Sequence, residues 1–107
     1  MKTIVSEEEF NKDIQNHDIV LVLYGSKTCM PCVSLKQKLI QWQAEHPNCQ
    51  CLYVPIEEAP LLCASNQVFS APTIRVYVMQ KLSIKASGAF SFEAIVQQVN
   101  RYQTLLK

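Results

Sequence analysis

Six consecutive residues, Ile19-Val20-Leu21-Val22-Leu23-Tyr24, carry no charged or amide side chain. The run is too short for most helices and half of it is β-branched, so it predicts a strand. Apolar residues at both even and odd positions leave no face for solvent. That is the condition of an inner strand covered on both sides, as in a parallel sheet. Gly25-Ser26-Lys27-Thr28 breaks the pattern. From Met30 onward the apolar positions Cys32, Leu35, Leu39 and Trp42 recur at steps of three and four, which predicts a helix ending before Pro47. Strand, short loop and helix make the first half of a βαβ unit, and the rest of the chain has to be compatible with it.

The flanking segments are compatible. Residues 3–5 form a short apolar-edged segment, and Ser6 and Glu9 then stand three apart as a capping box, with Val5 and Phe10 as a hydrophobic staple. A helix is predicted from about Glu7, its acidic start Glu7-Glu8-Glu9 favouring the helix dipole, to about Asn16-His17-Asp18. Residues 50–55 read as a strand and 60–66 as a short helix; 73–79 and 83–87 read as strands joined by a tight connection around Gln80-Lys81. Ser91 caps a closing helix lined by Phe92, Ile95, Val96 and Val99. The order β-α-β-α-β-α-β-β-α gives parallel crossovers followed by a hairpin. An α/β chain follows, with a central mixed sheet of about five strands flanked by about four helices on both faces.

Length and charge exclude several function classes. The 107 residues contain no Pro/Gly/Ser-rich stretch to serve as a linker, and a chain that is 49% hydrophobic and 18% charged can bury a core, so one domain over 1–107 is expected. The net charge is +1, with ten basic and nine acidic residues in no long block, which is not the electrostatic footprint of a nucleic-acid binder. The N-terminus has no apolar signal region and no run reaches membrane length, so a cytoplasmic monomer is expected. The five cysteines, at 29, 32, 49, 51 and 63, are an odd number, and a fully paired framework is excluded.

Cys29-Met30-Pro31-Cys32 stands where the inner strand turns into the helix. Unpaired backbone N–H groups and the dipole at a helix start favour a thiolate, and Lys27 adds a nearby positive charge that would lower the Cys29 pKa further. Two intervening residues put Cys32 about one turn on, within reach of a mixed disulfide formed by Cys29, and Pro31 suits an early helical position. Cys29 is then the nucleophile and Cys32 the resolving thiol. Two cysteines at this spacing are also half of a zinc site, which needs two further ligands. Cys49 and Cys51 form only a CxC pair in a strand, and His17 and His46 have no ligand spacing. An inert pair is the third reading, but a proline between the cysteines at a strand–helix junction favours redox chemistry with no metal and no other cofactor.

The stretch 20–32, together with Ser70-Ala71-Pro72-Thr73 and Ser87-Gly88-Ala89, resembles the thioredoxin family over nearly the full chain. The resemblance implies a thioredoxin fold, protein disulfides as substrates, and a thioredoxin reductase or similar electron donor. It also implies a cis proline at Pro72, which follows Cys32 by 40 residues and would face the dithiol across a groove. Ala71 would offer backbone hydrogen bonds to an extended substrate there, and Gly88 would let another backbone approach. Thr28, Met30 and Pro31 complete the implied groove.

Departures from the family pattern bear on activity. The family's usual Trp-Cys-Gly-Pro-Cys is Thr28-Cys29-Met30-Pro31-Cys32 here, so the groove loses an indole and gains an apolar thioether. The buried aspartate that thioredoxins place six residues before the first cysteine is Leu23, and its lysine partner aligns with Tyr53. That carboxylate is thought to help deprotonate the resolving cysteine, so Cys32 lacks the family's internal base. Two functions are compatible with this pattern: a thiol–disulfide oxidoreductase, or a slow or non-catalytic adaptor that binds a partner at the cis-proline groove. Cys49 and Cys51 share one face of a strand and, with Cys63, read as buried structural thiols. Trp42 and the Phe and Tyr residues read mostly as core.

Overall fold

The computed structural model describes residues 1–106. Along the chain run β1 (Lys2–Thr3), α1 (Glu7–Asn16), β2 (Ile19–Gly25), α2 (Met30–Glu45), β3 (Cys49–Pro55), α3 (Pro60–Ser65), β4 (Thr73–Val78), β5 (Lys81–Ser87) and α4 (Phe92–Leu105). A single 3-10 turn, Ile56–Glu58, joins β3 to α3. The five strands form one sheet in the order β1-β3-β2-β4-β5. β1, β3 and β2 are parallel neighbours, whereas β4 runs antiparallel to β2 and β5 antiparallel to β4. The mixed sheet and four helices are those predicted from the sequence.

β2 lies in the middle, and all seven of its residues are buried. Its two faces feed two separate cores. Leu21 and Leu23 pack with Leu39 and Trp42 of α2 and Ile95 and Val99 of α4, while Val20, Val22 and Tyr24 pack with Phe10 and Ile14 of α1 and Leu62 of α3. An uninterrupted apolar strand is required because both faces carry helices.

Helix ends follow local rules. The Ser6 hydroxyl accepts from the Glu9 N–H at 3.1 Å, and the Ser91 hydroxyl from the Ala94 N–H at 3.1 Å. Val5, expected to staple onto Phe10, stays about half exposed; Ile4, held by its N–H to the Tyr53 carbonyl at 2.9 Å, is the residue that enters the core. The β4–β5 turn falls on Met79 and Gln80, with φ of 52° and 69°, one residue earlier than predicted, and β5 begins at Lys81 rather than Ser83. No helix among the described residues is long and apolar enough to cross a membrane.

Candidate active site

The centre of the sheet aims β2 at the site. After Gly25 the chain leaves the sheet, the Cys29 N–H bonds the Ser26 carbonyl at 3.3 Å, and α2 starts with Cys29 as its N-cap residue in extended conformation. Pro31 takes a first-turn position, where a missing N–H costs no helical bond. Cys29 and Cys32 are joined as a disulfide with Cα atoms 5.3 Å apart. The two sulfurs are unequal. Cys32 is 2% exposed and lies under the helix start, whereas Cys29 is only partly covered. On reduction, Cys29 faces the unpaired N–H groups of the first turn of α2, which favour its thiolate.

The opposite wall is the loop between α3 and β4. The Ala71–Pro72 bond is cis and Pro72 is buried. Four ties hold this loop. The Val68 N–H bonds the Cys63 carbonyl at 2.9 Å, and the Thr73 hydroxyl donates to the Ser70 carbonyl at 2.8 Å. The buried Arg75 guanidinium donates to the carbonyls of Asn66 and Gln67, and the Gly88 N–H bonds the Pro72 carbonyl at 3.1 Å.

Between the walls lies an open groove of about 570 Å³. It brings together Thr28, Cys29, Met30, Pro31, Ala71 and Pro72, all singled out from the sequence. Two large lining residues were not singled out: Ile56, from the 3-10 turn, and Phe69, an aromatic that stays 80% exposed where a core role was expected. Gly88 does not line the groove; its φ of +73° explains a glycine there, and a Cβ on it would meet open space.

The thioredoxin family model matches residues 1–101. The chain belongs to the thioredoxin family. It is 26% identical to the thioredoxin of Chlamydia trachomatis over 103 residues, which is 96% of this chain and all of that one. In fold it is similar to the thioredoxin of Plasmodium falciparum (TM-score 0.84, 22% identity, 95% of this chain and 99% of that chain). It is likewise similar to mitochondrial thioredoxin 3 of Saccharomyces cerevisiae in its oxidized form (TM-score 0.84, 19% identity, 94% of each chain). A thioredoxin-family domain with a close Cys29–Cys32 pair is consistent with a thiol–disulfide oxidoreductase.

At the two positions where the family pattern has an ion pair, this thioredoxin-family chain has Leu23 and Tyr53. Leu23 is fully buried and lies in register with Tyr53 on β3. The Tyr53 ring leans over Gly25: a Cβ there would sit 2.7 Å from Tyr53 Cε1, so a larger residue would require the ring to move. Lys36, on α2 four residues after Cys32, lays its Nζ 4.3 Å from the centre of the same ring. Burial pushes the Tyr53 phenol up, and the charges of Glu57 and Glu58 add to that shift.

Lys27 is exposed and does not line the groove. Its backbone N–H donates to Glu57 Oε2 at 2.8 Å. That bond, and to a lesser degree the Lys27 charge, hold the Glu57 carboxyl below its ordinary value. The positive charge counted on from the sequence therefore comes with a carboxylate close by.

The remaining cysteines are all buried. Burial raises the thiol of Cys49 from about 9 to about 11 and that of Cys51 to about 12, and pushes Cys63 up as well. In the reduced protein at pH 7, iodoacetamide is therefore expected to label Cys29 first, and Cys49, Cys51 and Cys63 only after unfolding, as read by peptide mapping. The same shifts set a pH dependence. Between pH 9 and 11 the unfolded chain gives up thiol protons that the folded chain keeps, so denaturant midpoints should fall as pH rises through that window.

Proposed function

We propose that this protein reduces disulfide bonds in other proteins. The reading rests on one observation: a partly exposed Cys29 at a helix N-terminus, backed by a buried Cys32 and facing the cis Pro72 across an open groove. The Cys29 thiolate attacks one sulfur of the substrate disulfide; that S–S bond breaks, a mixed disulfide forms, and the departing substrate thiolate takes a proton. Cys32 then loses its proton and attacks the Cys29 sulfur. The second substrate thiol leaves, and Cys29–Cys32 is left oxidised by two electrons.

Return to the dithiol requires an external dithiol donor, for which a thioredoxin reductase is the matching class. No metal or organic cofactor is needed, because sulfur carries both electrons. A monomer in the cytoplasm, where glutathione and thioredoxin systems keep thiols reduced, fits this direction of flow.

Leu23 and Tyr53 favour a second reading, an adaptor that holds a partner at the same groove and turns over slowly or not at all. Insulin reduction with dithiothreitol separates the two. The expected result is precipitation of the insulin B chain well ahead of dithiothreitol alone. A wild-type rate equal to that blank, with the partner still bound, would favour the adaptor.

A further inference from the structure

Met30 and Phe69 are each 80% exposed, and they stand on opposite walls of the groove that holds Cys29. They come from separate elements. Met30 is the first residue of α2, next to the reactive cysteine, and Phe69 sits three residues before the cis proline. Apart from Cys29, whose thiolate is negative once the disulfide is reduced, no charged side chain lines the groove between them. A carboxylate entering it would give up hydration, find no counter-charge and face that thiolate, whereas an apolar side chain would cover the thioether and the phenyl ring together.

We propose that Met30 and Phe69 form a two-sided apolar clamp that selects protein disulfides whose cysteine has large apolar residues within two positions, presented on an extended segment. The proposal rests on the oxidoreductase reading and specifies its substrate class. The occupant is a segment of another protein because the clamp is continuous with the redox centre: whatever it grips is held beside the Cys29 sulfur. The walls act in different ways. Phe69 offers a flat rigid face on a tethered loop, and Met30 a flexible thioether that can adjust to aliphatic or aromatic neighbours. Discrimination comes both from contact with apolar flanks and from the unpaired desolvation of acidic ones.

Two disulfide peptides of equal length test this, one with Leu and Phe flanking its cysteine and one with Asp and Ser, reduced by wild type, Met30→Ser and Phe69→Ser. Wild type is expected to favour the apolar peptide by roughly tenfold or more in kcat/KM, mostly through KM, the scale on which an apolar pocket discriminates. Each variant should lose several-fold of that preference, and in Phe69→Ser, whose change lies outside the Cys29–Cys32 segment, the reduction potential should stay at the wild-type value.

Equal kcat/KM for the two peptides in wild type, or an undiminished preference in Phe69→Ser, overturns the clamp. The same peptides with serine for cysteine, titrated by fluorescence anisotropy, test the clamp apart from chemistry: tighter binding of the apolar one supports it, and equal binding counts against it. Failure on both peptides and on insulin, with that binding preference intact, contradicts the oxidoreductase reading and not the clamp. A wild-type dimer that dissociates in Phe69→Ser, seen by sedimentation, would assign these side chains to self-association instead.

Discussion

Cys29→Ser is expected to leave insulin reduction at the rate of dithiothreitol alone, and Cys32→Ser to stop after one event with the substrate still attached. The two losses differ because the two sulfurs do. Cys29 is partly exposed at the start of α2, where its thiolate is favoured, and a serine hydroxyl is not ionised there at neutral pH, so no mixed disulfide can form. Cys32 is 2% exposed and reaches only its neighbour's sulfur. Without it the first covalent step proceeds and the second cannot. Turbidity follows turnover, and intact-mass spectrometry of the Cys32→Ser protein, reduced, freed of dithiothreitol and then mixed with insulin, should show one substrate chain bound through Cys29. Trapping through Cys32 in Cys29→Ser would reverse the assignment of roles.

The second large effect is on stability. Leu23→Asp removes a fully buried side chain from the core between the sheet, α2 and α4. The lost burial is worth about 1.5–3 kcal/mol, and an ionisable group placed there adds a desolvation penalty of several kcal/mol unless it is paired. The urea midpoint should fall steeply with little change in slope. Tyr53→Lys added to Leu23→Asp should recover part of the loss, since Tyr53 lies in register with Leu23 on the adjacent strand. The pair also restores the carboxylate and lysine of the family pattern, so insulin turnover is expected to rise above that of wild type. If wild type already matches a thioredoxin that has the ion pair, and the double variant adds nothing, Cys32 finds its base elsewhere. Recovery will be incomplete in any case, because the Tyr53 ring fills the space over Gly25 and a lysine leaves part of it empty.

Most of this architecture was legible because the signals were local. The run from Ile19 to Tyr24, the capping serines 6 and 91, and the proline between two cysteines each state their role within a few residues. Misses occurred where the deciding partner is distant or the local signal is atypical. Hairpin turns with positive φ at both central positions usually carry Asn or Gly, but here they are Met79 and Gln80, so the turn was placed one residue late. The bond from the Lys27 N–H to Glu57 spans 30 positions, and no pattern in either segment announces it. Phe69 was read as core because aromatics usually are. It lies in a short loop tethered on both sides, and nothing in the sequence told which way its ring would turn.

The tethers on that loop bear on how fast a partner can leave. Residues 66–72 are tied to α3, to Arg75 and to Gly88 before anything binds, so the backbone of the groove wall has little freedom left to lose on association. A loop that had to order itself would charge that entropy to every encounter and blur differences between ligands. With the wall already set, differences between partners are carried by side-chain contacts alone and show up as residence times: encounters occur at similar frequency, and a well-matched segment stays longer. A longer stay gives Cys29 more time to attack the partner's disulfide before the partner drifts away; once the mixed disulfide has formed, the partner is held covalently until Cys32 releases it.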